Sequence, residues 1–143
     1  MRRHLAAVMF TDLVGYTALI RRDESAGREA RRAHREAVEK ALASHDGDLL
    51  QYFGDGSLST FSSAVEATRA AIRIQREFLA RPETPLRIGI DLGDITYDDQ
   101  GAFGDAVNVA ARLEALCAPG AVLISEKVRV ELTGHGDLAV ASL

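Results

Sequence analysis

The sequence has no tryptophan, one cysteine, three prolines and only two lysines, Lys40 and Lys127. A single cysteine excludes an internal disulfide, and Cys117, in the apolar stretch LEALCAPG, reads as a buried, inert thiol. Few prolines leave long helices unbroken. No apolar run approaches the roughly 20 residues that a membrane-spanning helix needs. The basic start MRRHLAAVMF is halted by Thr11 and Asp12 without a small-residue cleavage site. It reads as a first strand, not a secretory leader. The basic residues are almost all arginine, and acidic residues outnumber them to a net charge of -4. Nothing global favours nucleic acid. With 47% hydrophobic and 27% charged residues over 143 positions, the chain suits one globular domain, 1–143, with a buried core. A cytoplasmic setting is the expectation.

Periodicity orders the chain as β-α-α-β-β-α-β-α-β-α-β. Strands are expected at Leu5–Phe10, on both sides of Gly54-Asp55-Gly56, at Leu86–Ile90, at Ala121–Ile124 and at Leu138–Leu143. Helices are expected at Tyr16–Arg22, from Ser25 to about Ser44, from an N-cap at Ser62 or Ser63 up to Pro82, at Asp105–Leu116 and at Glu126–Leu132. Arg28, Arg31, Arg32 and Arg35 alternate with Glu29, Glu36 and Glu39, which marks a solvated, self-paired helix face. The hairpin tip uses glycine for the positive φ of a tight turn. Hairpins mixed with crossovers imply an α+β fold: a ferredoxin-like mixed β-sheet with helices packed on one face.

Three stretches carry chemistry. Asp12 ends the apolar run AAVMFT, and Asp55 follows YFG at the hairpin tip. On adjacent antiparallel strands their carboxylates come together, and such a pair repels unless a cation sits between them or one takes a proton. Hard oxygen ligands suit Mg²⁺ or Mn²⁺. The plainer reading, Asp12 as a helix cap and Asp55 as a turn residue, stands equally on spacing alone. Gly15, just behind Asp12, permits either an ordinary turn or close approach of backbone amides to an anion. In FGDAVNVAARLEAL, Asn108 and Arg112 lie four apart on one helix face. They read as a surface polar pair or as groups that address a ribose and a phosphate. The histidines His4, His34, His45 and His135 show no ligand spacing.

Taken together, FTDLVGYTAL, FGDG in a hairpin and FGDAVNVAARL resemble the class III adenylate/guanylate cyclase catalytic domain over roughly Leu5 to Leu132. The resemblance implies cyclisation of a nucleoside triphosphate, ATP foremost, to its 3′,5′-cyclic monophosphate with release of pyrophosphate. It implies a head-to-tail homodimer and two ions, Mg²⁺ or Mn²⁺. Asp12 and Asp55 match the family's metal aspartates. Asn108 matches its ribose-orienting asparagine, and Arg112 its transition-state arginine. Leu13, Val14, Gly15, Tyr16 and Thr17 form the candidate phosphate-binding loop, through backbone amides. In family dimers the aspartates and the Asn/Arg pair of one site come from different subunits.

Two departures stand out. The base-reading positions, usually Lys with Asp or Thr in adenylate cyclases and Glu with Cys in guanylate cyclases, hold Gln51 and Gly101. That implies loose or unusual base choice, with GTP or a pyrimidine triphosphate as alternatives. A shift of the loop would let Asp98 or Asp99 take over the missing acceptor role. The family's C-terminal hairpin, with its phosphate-binding lysine, has no counterpart before Leu143. A catalytically weak nucleotide-binding or regulatory domain is the non-enzyme alternative.

Overall fold

A computed structural model describes residues 2–143. Its centre is a six-stranded sheet in the order β2-β3-β1-β4-β5, with β6 pairing in parallel beside β4. The strands are β1 (Arg2–Leu13), β2 (Gly47–Tyr52), β3 (Gly56–Phe61), β4 (Leu86–Asp98), β5 (Gly101–Phe103) and β6 (Val122–Ile124). The helices are α1 (Tyr16–Arg22), α2 (Glu24–Ser44), α3 (Ala64–Phe78), α4 (Asp105–Leu116) and α5 (Glu126–Glu131). β1 lies antiparallel between β3 and β4, so its end is enclosed on both sides: Asp12 faces Gly56 across one ladder and Arg87 across the other.

Alternate residues of β1 serve opposite faces, as the pleat demands. Ala7, Met9 and Leu13 join α2 and α3 in the larger core, with Ala37, Val38, Ala41, Ala67, Ala71 and Ile74. Alanine-rich helix faces let these helices sit close to the sheet. Ala6 and Val8 join Leu58, Ile95, Ala106 and Ala110 in a second core under α4. Helices therefore cover both faces, not one as the order of elements suggests. Each large side chain buried in these cores, such as Ile88, Ile90 or Met9, contributes about 1.5–3 kcal/mol.

Several boundaries differ from expectation. α2 is capped by Asp23, whose side chain accepts from Ala26 N, so it starts ahead of Ser25. Ser63 caps α3 as expected, accepting from Glu66 N. β4 runs on to Asp98 and returns through β5 as a hairpin, where the Asp/Gly-rich sequence suggests a loop. Leu138–Leu143 forms no strand, and Val140 and Leu143 are exposed. No helix among the described residues is long and apolar enough to cross a membrane.

Candidate active site

The ends of β1 and β3 create the site. Leu13 N donates to Asp55 O at 2.8 Å, tying the hairpin tip to the end of β1 beside Asp12. Phe53 N donates to Gly56 O at 2.9 Å and closes a tight turn over Gly54 and Asp55. Neither tip glycine has a positive φ, contrary to the expected turn chemistry. Gly56 is needed for a different reason: a Cβ there would lie 2.5 Å from the Thr11 carbonyl oxygen. Only glycine lets β3 come this close to β1 and hold Asp55 beside Asp12.

The acidic pair sits beside two further charges. Arg87 Nη2 donates to Asp12 Oδ2 at 2.9 Å, and Arg87 Nε lies 3.6 Å from Glu114 Oε2 on α4. Burial raises the Asp12 carboxyl above its usual range. The Arg87 hydrogen bond opposes this, and the charge of Asp55 adds to it. Burial likewise pushes Glu114 up to about 7, with the Asp12 charge adding to the shift. These carboxylates crowd one another with a single guanidinium among them. That donor set suits a hard divalent cation, which relieves the repulsion. Among the described residues no three His, Cys, Asp or Glu side chains group as a metal cage. A pair of carboxylates matches Mg²⁺, which keeps water and substrate oxygens as its other ligands.

Under the pair lies a buried polar relay. Thr11 Oγ1 is 2.7 Å from His34 Nε2 and 2.6 Å from Ser57 Oγ. It joins α2, β1 and β3 one residue behind Asp12. Burial pushes His34 down to about 4, with the Arg35 charge adding to the shift. The ring therefore stays neutral and packs edge-on against Phe78.

α4 approaches the other face of the sheet through glycines. A Cβ on Gly89 would lie 2.3 Å from Glu114 N and 2.6 Å from Ala110 O, and one on Gly93 would lie 3.1 Å from the Ala106 Cβ. Ala106 and Ala110 are buried against the strands. Asn108 and Arg112, on another row of α4, are exposed. Among the described residues neither side chain has a hydrogen-bond or ion-pair partner. Arg28, Arg32, Arg69, Arg81, Arg87 and Arg129, by contrast, all pair with carboxylates.

Gln51 and Gly101 line one cleft of about 280 Å³, together with Leu58, Tyr97, Asp98 and Asp99. A bulge between Leu49 and Gln51 sets the register there. Asp98 Oδ1 accepts from Gln100 N at 2.8 Å and shapes the β4–β5 turn. Asp99 is exposed and makes no such bond. Of the loop Leu13–Thr17, the first two amides are spent: Val14 N donates to Pro85 O at 2.9 Å, and Leu13 N to Asp55 O. Gly15, at φ 76, turns the chain into α1. The N–H groups that this loop can offer an anion are those of Gly15, Tyr16 and Thr17, where a helix start leaves donors unpaired.

Arg87, Glu114 and His34 are absent from the candidates drawn from sequence. One signal was available. Arg87 is the one charged residue in the apolar run LRIGI, and β1–β4 pairing sets it opposite Asp12.

The sheet thus carries an aspartate pair at the joined ends of β1 and the β2–β3 hairpin, and an Asn/Arg stripe on α4. No family model matches the chain. It is 40% identical over 146 residues to a Rhizobium meliloti protein provisionally named adenylate cyclase 3, covering 96% of this chain and 25% of the relative. It is 34% identical to an adenylate cyclase of Streptomyces griseus, covering 91% of this chain and 33% of the relative. The chain thus spans a quarter to a third of the length of these curated relatives. Among solved structures it matches an adenylate/guanylate cyclase/hydrolase from Silicibacter pomeroyi at 39% identity and a TM-score of 0.78, covering 91% of this chain and 80% of that one. The chain belongs to the class III adenylate/guanylate cyclase family.

Proposed function

We propose that this domain cyclises a nucleoside triphosphate, ATP foremost, to its 3′,5′-cyclic monophosphate at the two sites of a head-to-tail homodimer. The observation that carries the reading is the division of the charged groups. Asp12 and Asp55 form a crowded anionic pair at the sheet end, whereas Asn108 and Arg112 stand exposed on α4 and, among the described residues, without side-chain partners. An unpaired guanidinium and amide on a helix face are complementary to a second copy that brings a ribose and phosphates to them.

In this reading Asp12 and Asp55 hold two Mg²⁺ or Mn²⁺ ions. The bound ions supply a lowered pKa for the 3′-hydroxyl and charge neutralisation for the pyrophosphate. Asn108 of the other subunit fixes the ribose so that O3′ is in line with the α-phosphorus. Arg112 places a preorganised positive charge where negative charge grows on the α-phosphate oxygens. The O3′–P bond forms, the bond to the pyrophosphate oxygen breaks, and the hydroxyl proton passes to solvent. The amides of Gly15, Tyr16 and Thr17 offer donors to the phosphate chain.

One observation favours a broader substrate range. Gln51 and Gly101 share a cleft, and neither offers a fixed ionic partner to a base edge. The test of both readings is purified protein with Mn²⁺ and each of the four ribonucleoside triphosphates, followed by pyrophosphate release. We expect release with ATP, accompanied by the cyclic product, and a weaker signal with at least one other triphosphate. Folded dimer that turns over none of the four defeats the assignment.

A further inference from the structure

Arg87 has a bonding pattern that a merely structural arginine would not keep. Its five donors are arranged as a rigid fork. Nη2 donates to Asp12 Oδ2 at 2.9 Å and Nη1 to Ala115 O at 3.3 Å. Nε is buried and, among the described residues, has no hydrogen-bond partner. A buried donor left unpaired is costly. Glu114 Oε2 lies 3.6 Å from it, just outside bonding range. The Glu114 side chain is only 15% exposed, and Gly89 lets its backbone press directly on β4. Arg87 thus stands between two carboxylates, bonded to one and a fraction of an ångström short of the other.

Resting on the reading of Asp12 and Asp55 as a metal pair, we propose that Arg87 is a positioning residue, a resident counter-cation that holds Asp12 Oδ2 until a divalent ion displaces it onto Glu114. Without a metal ion, the guanidinium keeps the crowded carboxylates in place. When an ion takes the Asp12 oxygen, the two cations repel across a partly buried site. A small shift brings Arg87 Nε to Glu114 Oε2. The unpaired donor is then satisfied, and Glu114 becomes the counter-ion of the displaced arginine.

The proposal gives opposite signs to two substitutions. Mn²⁺ binding to the nucleotide-free homodimer can be read from the electron paramagnetic resonance of the free ion, with Asp55→Asn as the control that abolishes it. Arg87→Gln removes the competing cation and should tighten Mn²⁺ about tenfold. Glu114→Gln removes the landing site and should weaken Mn²⁺ several-fold in the native background, but clearly less once Arg87 is Gln, where only the direct pull of the Glu114 charge on the ion is lost. If Arg87→Gln binds no tighter, or if the Glu114→Gln effect is as large in the double variant as in the native background, Arg87 is not the exchanging cation. Should Arg87→Gln fail to fold, the Arg87 Nε–H resonance reads the exchange directly. On adding Mg²⁺ it should gain protection from solvent in the native chain and not in Glu114→Gln; an unchanged resonance overturns the proposal. Absence of any Asp55-dependent Mn²⁺ binding in the native chain is a different result, since it removes the metal pair itself and the displacement with it.

Discussion

β4 runs between two unlike places. At its start, Arg87 sits in a crowded acidic cluster where groups bond to one another: Asp12 to Arg87, Arg87 to the Ala115 carbonyl, and the strand ends through the Thr11–His34–Ser57 relay. At its far end, the cleft around Gly101 is loosely furnished. Among the described residues Gln51 and Asp99 have no side-chain hydrogen bond, and Asp98 serves its own turn. The difference is instructive. Charge that must be met in a transition state is best met by groups already fixed. Discrimination between bases needs specific, committed hydrogen-bond partners. In the proposed reading, the molecule is densely bonded where phosphate chemistry would occur and sparsely bonded where a base would be read.

The comparison breaks most severely at the acidic end. Asp55→Ala should lower turnover at least a thousandfold, about 4 kcal/mol, while leaving the circular dichroism unchanged, because the hairpin is held by backbone bonds. Arg112→Ala should be as inactive. Mixed, the two proteins should recover about a quarter of native turnover, since half of the dimers are mixed and each has one intact site of two. Proven heterodimers without activity would mean that one subunit carries a whole site.

The same end can be probed through its foundation. Unfolded, His34 titrates near 6.5; folded, it titrates at about 4. Between those values the unfolded chain binds the extra proton, so this group lowers stability as pH falls through the window, by about 3 kcal/mol in all. Above 6.5 it has no effect. Glu114 acts in the opposite sense. Its folded value of about 7 against 4.5 means that the folded chain gains a proton, and stability, as pH falls through that range. Urea denaturation of the native chain and of His34→Gln at several pH values separates the two, because Glu114 is common to both. An identical pH dependence in the two proteins would refute the buried, neutral His34.

The smallest effect is expected in the cleft. Gln51→Lys should sharpen the ATP to GTP ratio of kcat/KM by about 1 kcal/mol, roughly fivefold, since lysine can only donate. Adding Gly101→Asp should not help. Space is open around Gly101, but its φ of 130° strains any other residue. A parent that already excludes GTP, with a variant that gains nothing, would place base reading elsewhere.

Much of the acidic end was legible in the sequence. Asp12 and Asp55 each end an apolar run, and strand pairing alone brings such ends together. The Asn108–Arg112 stripe follows from helical period. What was hidden depended on the third dimension. Arg87 has meaning only through its register opposite Asp12. His34 resembles any other polar residue of α2 until the helix packs and buries it. The β4–β5 hairpin was obscured because Asp98, Asp99 and Gly101 suggest a loop, whereas Thr96–Asp98 pair with Gly101–Phe103. The tail Leu138–Leu143 has strand composition but no strand beside it to complete a ladder.

The glycine seat beneath α4 has a mechanical consequence. Helices usually rest on sheets through a layer of side chains that can change rotamer and absorb small movements. At Gly89 that layer is missing, and helix backbone bears on strand backbone. The joint has no cushion. β4 and α4 must travel as one stiff piece, so any tilt given to the strand reaches Asn108 and Arg112 undiminished, as a lever turns about a bare pin.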